Sequence, residues 1–166
     1  MTAVRSYRAA DLDACRALWV ELTEHHRLIY RDDAIGGADP GLQFDAHLAA
    51  VGPDHLWVAD DDGAVVGLAG LIVDGSDGEV EPVVVTVDRR GEGIGQSLVG
   101  AVISAARAAG ITLLSVRPVA RNTDAIGFFR DLGFGVLGHV EVFMDLTDRT
   151  NRWVQGETIA GRDFAV

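Results

Sequence analysis

The segment that most constrains the fold is residues 79–109, where a strand pattern passes through a glycine-rich turn into a helical pattern. Valine-rich sequence predicts a buried strand over 79–87, the turn follows over 89–95, and apolar spacing predicts a helix over 96–109. The first N–H groups of a helix have no intrahelical acceptor and carry partial positive charge, and glycine lets the backbone approach a ligand closely. The pattern therefore predicts a phosphate or pyrophosphate site, although such turns also form purely for tight packing.

Around this segment the chain predicts a mixed α/β sheet. The elements follow in the order β-α-α-β-β-β-α-β-α-β, with the last strand either single or split in two. Three strands in succession predict antiparallel pairing, and the later βαβ unit predicts a parallel pair with a right-handed crossover. Residues 64–74 are apolar on both faces, which predicts a central strand covered on both sides. Residues 134–146 predict one long strand, or a tight pair that breaks near Gly138 and His139.

The length of 166 residues fits a single domain over residues 1–166. Residues 148–166 are polar and irregular but contain Trp153, Ile159 and Phe164, so we expect a packed C-terminal tail. The first residues lack the apolar stretch of a signal peptide, and no apolar run approaches about 18 residues. We therefore expect a soluble, cytoplasmic protein.

The charged residues exclude several classes of function. The chain has 25 acidic and 14 basic residues, a net charge of −11, and every basic residue is arginine. Without lysine it can form neither a Walker A loop nor a Schiff base. The acidic balance argues against nucleic-acid partners and against binding to an anionic membrane. No cluster of His, Cys, Asp and Glu has metal-ligand spacing, so no metal is predicted, and the single Cys15 is expected to be a buried structural thiol.

Two dinucleotide-binding patterns fail on their context. The turn at Gly91 and Gly93 would need glycine at position 96, where the chain has Gln96. Residues 133–138 spell a literal GxGxxG, but they follow a helix pattern and enter a strand pattern, the reverse of a dinucleotide site. The three consecutive central strands also disfavour a flavodoxin-like or reductase domain.

Two motifs resemble those of the GCN5-related N-acetyltransferases, the GNAT superfamily. The first is the acetyl-CoA motif, here Arg90-Gly91-Glu92-Gly93-Ile94-Gly95, which follows the strand residues Val80-Glu81-Pro82-Val83-Val84-Val85. The second reads Asn122-x-x-Ala125-x-x-Phe128-Phe129-x-x-x-Gly133-Phe134. The resemblance covers about residues 3–146. It implies a GNAT-like fold, with a central mixed, splayed sheet of six to seven strands flanked by about four helices.

The resemblance also implies an activity and a binding site for acetyl-CoA. The activity is direct transfer of acetyl from acetyl-CoA to a primary amine, either a small cationic amine or an amine of a protein or peptide. The pantetheine arm would pair with the backbone of Val83, Val84 and Val85. The pyrophosphate would lie in the amides of Gly91, Glu92, Gly93, Ile94, Gly95 and Gln96. Arg90 would either contact the phosphates or brace the turn, and Asn122 would hydrogen-bond the pantetheine, cap its helix, or do both.

The second motif departs from the family at one position. Many family members have a tyrosine there that is proposed to protonate the departing thiolate, and this chain has Phe129. No general acid is assigned, because the thiolate can leave without one or take a proton from water; a thiol has a pKa near about 8.5. The same departure leaves an alternative function open, an acyl-CoA-binding sensor or regulatory module without turnover.

An incoming ammonium must lose a proton before it attacks the thioester, so the chemistry needs a base. Glu81 is the first candidate, since it precedes the pantetheine segment and shares a strand face with Glu79. Glu79 would bind the substrate cation, or both carboxylates would lie at a solvated strand start. His139 is a second candidate for the base, close to the acceptor pocket, and Tyr30 is expected to contact the acceptor. The family often forms homodimers, so we also expect a homodimer.

Overall fold

The computed structural model describes residues 1–146 and 153–166, which divide into two compact units, residues 1–117 and 118–166. The elements of the first unit are β1 (Thr2–Ser6), α1 (Leu12–Tyr30), α2 (Gly41–Val51), β2 (Leu56–Asp61), β3 (Ala64–Asp74), β4 (Asp77–Val85), α3 (Ile94–Ala108) and β5 (Leu113–Ser115). Those of the second unit are α4 (Thr123–Asp131), β6 (Gln155–Ile159) and β7 (Arg162–Ala165). No helix in these described ranges is long and apolar enough to cross a membrane.

The first unit is built on a mixed sheet in the order β1-β2-β3-β4-β5. The first four strands pair antiparallel with their neighbours, and β5 pairs parallel with β4. The right-handed βαβ preference explains this last step, because α3 provides the crossover between β4 and β5. The predicted mixed α/β class is confirmed, and the described residues contain four α-helices, as expected.

The central sheet has five strands in the described chain, so the expected six to seven is wrong for that sheet. The remaining two strands, β6 and β7, form a separate antiparallel pair in the second unit, where an irregular tail was expected. Residues 148–152 of the expected tail lie outside the described ranges, since the structure does not describe residues 147–152. Alternation of apolar residues favours extended backbone, but only hydrogen-bonded partners make it a strand.

The predicted strand over residues 134–146 is also wrong. This segment contains no strand, and most of its large apolar side chains are exposed, including those of Val136, Leu137 and Met144. Its alternating pattern is a local signal, whereas a ladder needs a second strand at hydrogen-bonding distance. His139, at the expected break, is exposed in this irregular segment.

The core of the first unit lies on both faces of β3. Leu68 packs with Cys15, Leu18 and Phe44 from α1 and α2. Successive residues of a strand point to opposite faces, and a Cβ added at neighbouring Gly67 would lie 2.9 Å from Leu98 of α3. The prediction of a central strand covered on both sides is therefore confirmed, and so is the burial of Cys15, which is 0% exposed.

Candidate active site

The turn between β4 and α3 has a backbone that can receive an anion. Gly91 and Gly93 have φ angles of 81° and 80°, in the left-handed region that favours glycine. Gly93 stands immediately before α3, and no side chain caps that helix start. Helix geometry leaves the N–H groups of Ile94, Gly95 and Gln96 without intrahelical acceptors. The turn can therefore direct several N–H groups and the positive end of a helix dipole towards a phosphate.

Beside this turn, β4 has an edge to which an extended ligand could add. On one edge, Val83 pairs with Ala69 and Val85 pairs with Gly67 of β3. On the other edge, β5 pairs only with residues Asp77 to Glu79 of β4. Within the first unit, the backbone of Val83, Val84 and Val85 therefore has no strand on its second edge. An extended chain such as a pantetheine arm can hydrogen-bond to such an edge as a strand would.

Two arginines hold the turn. The Nε of Arg90 donates to the Val85 carbonyl at 3.0 Å, so this side chain spans from the turn back to the end of β4. The Nη1 of Arg89 donates to Asp61 at 2.6 Å, and its Nε donates to Glu92 at 2.9 Å. The charge of Glu92 inside the candidate phosphate site is thereby balanced by Arg89. Arg90 thus makes the bracing contact that was one of its two expected roles.

Glu21 of α1 fastens the start of the same segment, and sequence reasoning missed it. One carboxylate oxygen of Glu21 accepts from the Thr86 hydroxyl at 2.9 Å, and the other accepts from the Val87 N–H at 3.1 Å. The partners stand 65 positions apart in the chain, so no local pattern could have indicated the contact. The result is that β4 leads into the turn along a path tied to α1.

A carboxylate pair lies on β4, just before its open edge. Glu79 and Glu81 are two residues apart and so share one face of the strand. The Glu79 side chain is 13% exposed, and Arg117 donates to both of its oxygens, with Nε to Oε1 at 2.6 Å and Nη2 to Oε2. Burial raises the pKa of half-buried Glu81, the charge of Glu79 raises it further, and Arg117 lowers it. A carboxyl with a raised pKa is poised to exchange protons closer to neutral pH.

The strand is irregular at this point. The pairing of β3 with β4 changes register between Ala69 and Leu71, so that Glu81 and Pro82 together stand opposite Gly70. A Cβ added at Gly70 would meet the Glu81 carbonyl, so only glycine lets the two strands approach this closely. An irregularity of this kind redirects the side chains around it, and it often lies next to active sites.

His47 of α2 is a further residue near the pair that sequence reasoning missed. Its ring centre lies 5.1 Å from that of Trp19 on α1, and its Nε2 is buried with no hydrogen-bond partner in the described structure. Burial lowers the pKa of His47, and an interaction with the Glu81 backbone opposes that shift. The imidazole is therefore neutral at neutral pH, and it contributes no charge next to Glu81.

The other candidate residues lie in two places. Tyr30 is the last residue of α1, in the first unit. Asn122, Phe129 and His139 belong to the second unit. Asn122 caps α4 by accepting from the Ala125 N–H at 3.1 Å, and Phe129 packs edge-on against Phe134. Among residues 1–146 and 153–166, no three His, Cys, Asp or Glu side chains are grouped so that they could hold a metal ion.

Comparison with protein families finds a match over much of the chain. The model described as the Acetyltransferase (GNAT) family matches residues 11–134. A protein of Pseudomonas paraeruginosa named L-methionine sulfoximine/L-methionine sulfone acetyltransferase is 30% identical over 156 residues, which cover 91% of this chain and 88% of that protein. Its namesake in Pseudomonas aeruginosa is 29% identical over the same length.

Solved structures agree on the fold. An acetyltransferase of the GNAT family from Staphylococcus aureus matches with a TM-score of 0.67 and 15% identity, over 80% of this chain and 84% of that one. The structure of AAC(6')-Iy in complex with the bisubstrate analogue CoA-S-monomethyl-acetylneamine matches with a TM-score of 0.63 and 18% identity, over 89% and 99% of the two chains.

Proposed function

The chain belongs to the GNAT family of acetyltransferases, and from this premise we propose which residues carry the reaction and which amine they acetylate. It is an N-acetyltransferase that takes acetyl from acetyl-CoA and transfers it to a primary amine. The named relatives are acetyltransferases, which favours turnover over the alternative of a sensor without turnover. The residue roles and the acceptor below are the proposal.

Acetyl-CoA would bind along β4 and the turn after it. The backbone of Val83, Val84 and Val85 would hydrogen-bond the pantetheine arm, since this edge has no strand beside it in the first unit. The pyrophosphate would be held by the N–H groups of the turn and of the first turn of α3, namely those of Gly91, Glu92, Gly93, Ile94, Gly95 and Gln96. Arg90 would stabilise the conformation of this turn through its hydrogen bond to the Val85 carbonyl. Asn122 would contact the pantetheine while capping α4.

Glu81 would be the base, and its environment is the observation that carries the proposal. Glu81 is half-buried, its pKa is raised by burial and by Glu79, and it stands two residues before Val83. The carboxylate would take one proton from the acceptor ammonium, directly or through a water. The nitrogen lone pair would then form the bond to the thioester carbonyl carbon, and the C–S bond would break with its electrons on sulfur.

The departing thiolate would need no dedicated acid. Phe129 has no proton to donate, and the chain therefore lacks the tyrosine of the second motif. A thiolate is a modest leaving group, because its thiol has a pKa near about 8.5. The second proton lost by the nitrogen as the amide forms can reach the sulfur through water. The products are the N-acetylated amine and CoA.

For the acceptor we propose the α-amine of an L-amino acid whose side chain carries an oxidised sulfur, as in L-methionine sulfoximine or L-methionine sulfone. The support is the name of the relatives, which align over 91% of this chain. The carboxylates of Glu79 and Glu81 suit an ammonium group, and Tyr30 and His139 would contact the rest of the acceptor. This proposal narrows the acceptor from primary amines in general to a small amino acid.

The acceptor is tested by measuring thiol release from acetyl-CoA with an amine panel. The panel contains L-methionine sulfone, L-methionine sulfoximine, L-methionine, neamine, a lysine peptide and a peptide with N-terminal alanine. We expect the sulfone and the sulfoximine to have the highest kcat/KM. A higher value for neamine or for either peptide overturns the proposed acceptor, and saturable acetyl-CoA binding without thiol release for any amine overturns the activity itself.

The base is tested with E81Q, using E157Q as a matched control on an exposed side chain. We expect E81Q to lower kcat/KM by a factor of about 10²–10⁴, because a positioned general base contributes about that much. Calorimetric affinity for acetyl-CoA should stay within twofold of wild type. Turnover of E81Q close to that of E157Q would remove Glu81 from the mechanism.

We also propose that the two units act together as one acetyltransferase domain over residues 1–166, since the family match over 11–134 extends across the boundary between them.

A homodimer is proposed as well, because exposed apolar side chains such as Leu137, Phe143 and Met144 in the second unit favour a covering partner. Sedimentation velocity tests the oligomeric state.

The need for acetyl-CoA favours a cytoplasmic location, and the net charge of −11 argues against nucleic acid and anionic membranes as partners.

A further inference from the structure

Arg117 stands beside the carboxylate pair because of the parallel pairing of β4 with β5. Ser115, the last residue of β5, is the Cα partner of Glu79. Arg117 follows two residues later, just after the strand has ended. From there its guanidinium reaches Glu79 with two hydrogen bonds, Nε to Oε1 at 2.6 Å and Nη2 to Oε2. A bidentate contact of this kind orients both partners.

The contact joins a buried charge to an exposed one. The Glu79 side chain is 13% exposed, whereas the Arg117 side chain is 75% exposed. A carboxylate that has lost most of its water is stable as an anion only when hydrogen bonds and an opposite charge replace the water. Arg117 supplies both, so the Glu79 side chain is held in one orientation.

We propose that Arg117 is a positioning residue for the acetyl transfer, which holds Glu79 so that Glu79 orients and tunes the base Glu81. The inference rests on the proposed role of Glu81. Its geometrical basis is a row of three side chains. Arg117 binds Glu79 by a bidentate contact, and Glu79 lies two residues from Glu81 on the same face of β4. Arg117 does not touch the reacting atoms in this proposal; it acts mainly through Glu79, with a smaller direct contribution of its own charge to Glu81.

The direction of the effect follows from the groups that face Glu81. Glu79 on its own strand and Arg117 after β5 act on its carboxyl, and His47 of α2 interacts with its backbone. His47 is neutral at neutral pH because burial lowers its pKa. The charges that tune Glu81 are therefore those of Glu79 and Arg117. Removal of Arg117 leaves the Glu79 charge unbalanced, so Glu81 must lose its proton at higher pH, whereas removal of the Glu79 charge has the opposite effect.

The experiment follows the protonation of Glu81 directly in the full-length protein. Glutamate carboxyls are labelled with ¹³C, and the Glu81 resonance is identified as the one that is lost in E81Q. Its titration midpoint is then measured in wild type, R117Q, E79Q and E79Q/R117Q, with R107Q on the exposed part of α3 as a control for net charge. We expect the midpoint to rise by about 0.5 pH unit or more in R117Q, to fall in E79Q, and to stay in place in R107Q.

The double variant distinguishes a relay from a direct effect. If Arg117 acts through Glu79, then R117Q should move the midpoint in the E79Q background by less than half of its shift in wild type. An equal shift in both backgrounds, or no shift in R117Q, overturns the proposal. R117K keeps the charge, so its midpoint shift should be at most half of the shift seen in R117Q. If R117Q does not fold, the test rests on E79Q, and a failure of E79Q to lower the Glu81 midpoint overturns the proposal.

Activity measurements separate this inference from the proposed function. With one acceptor throughout, the acid limb of kcat/KM should move with the Glu81 midpoint in each variant. If the midpoints move as expected but E81Q keeps wild-type turnover, the role of Glu81 as base fails while the tuning contact stands. If E81Q is inactive and neither midpoint nor acid limb moves in R117Q, only the role of Arg117 fails.

Discussion

At the scale of single residues, the most buried charge of the described chain is also among the most completely bonded. Asp11 is 6% exposed, and its carboxylate accepts from both Nη atoms of Arg5, at 2.8 and 2.9 Å, and from the Arg8 N–H at 2.7 Å. Arg5 also donates through Nε to Asp60 at 2.8 Å. These contacts join β1 and β2 to the start of α1, so they stabilise the attachment of α1 to the β1 edge of the sheet.

Replacing Asp11 by alanine should be costly, because it leaves the donors of Arg5 and Arg8 unpaired in a partly buried position. We expect D11A to lower the free energy of unfolding by about 2–4 kcal/mol. The matched control is D13A, two residues later, where the side chain is 94% exposed and changes stability little. Urea denaturation measures both, and equal midpoints for D11A and D13A would contradict the prediction.

Cys15 is chemically protected by the same packing. The side chain is 0% exposed, and burial, followed by the charge of Asp11, raises the pKa of its thiol to about 12. Since the thiolate is the reactive form, native protein at pH 8 should not react with a disulfide reagent such as DTNB. One thiol per chain should react once the protein is unfolded in guanidinium. If one thiol per chain were labelled in the native protein at a rate faster than unfolding, that result would contradict the prediction.

At the scale of elements, the turn between β4 and α3 is held at its start and in its middle. Glu21 fixes Thr86 and Val87 at its start, Arg89 binds Asp61 of β2, and Arg90 binds the end of β4. A site made of backbone N–H groups depends on such supports, since it has no side chain that can move to follow the ligand. We therefore expect these supports to affect the affinity for acetyl-CoA, even though none of them needs to touch it.

The support from α1 is tested by E21Q. The amide cannot accept at both oxygens as the carboxylate does, so one of the hydrogen bonds to Thr86 and Val87 is lost or inverted. We expect the KM for acetyl-CoA to rise by about 5- to 10-fold, which corresponds to one charge-assisted hydrogen bond, with a smaller effect on kcat. E24Q, on the same helix but exposed, is the matched control. A KM for E21Q equal to that of E24Q would speak against the support.

The turn itself is tested by comparing two glycine-to-alanine changes at α3. Gly93 has a φ of 80°, which costs alanine about 1 kcal/mol, so G93A should destabilise the protein and weaken acetyl-CoA binding. Gly100 lies within α3, exposed and with space around it, so G100A should stabilise by up to about 1 kcal/mol. Thermal unfolding and calorimetric titration with acetyl-CoA measure the two changes. The same sign of stability change in both variants would refute this account of the turn.

At the scale of the whole molecule, the described arginines and carboxylates form pairs that make stability depend on pH. The pKa of Asp11, Asp45, Asp60 and Asp61 is lowered, in each case chiefly by a hydrogen bond from an arginine. A carboxyl whose pKa is lower in the folded state stabilises the fold above its unfolded pKa, and this contribution is lost as the pH falls through the folded value. Three of these four carboxylates belong to or adjoin the first two strands.

The unfolding free energy should therefore decline gently below about pH 6.5, where the buried His47 is protonated only in the unfolded chain, and fall steeply below the ordinary aspartate value of about 4. D11N should show a smaller fall between pH 5 and pH 3 than wild type, because one of the coupled carboxyls is gone. Guanidinium titrations at several pH values measure the slope. A wild-type stability that is unchanged between pH 5 and pH 3 would exclude this linkage.

Much of the fold was predictable because local signals set it. The helix expected over 96–109 is observed over Ile94–Ala108, and the strand expected over 79–87 is observed over Asp77–Val85. Apolar periodicity and glycine placement act within a few residues, so they can be read from the chain alone. The segment 134–146 shows the limit of that reading, because its alternation was correct as a pattern but a strand also needs a partner to pair with.

The sequence by itself therefore determined the strand, the glycine turn and the helix, and with them the predicted place for an anion, because backbone preference and periodicity are local properties. Only the tertiary structure decided what surrounds the candidate base and what supports the turn. Arg117 reaches Glu79 across 38 positions of the chain, and Thr86 reaches Glu21 across 65. Such contacts depend on how strands pair and helices pack, so the charge around Glu81 is a property of the folded molecule.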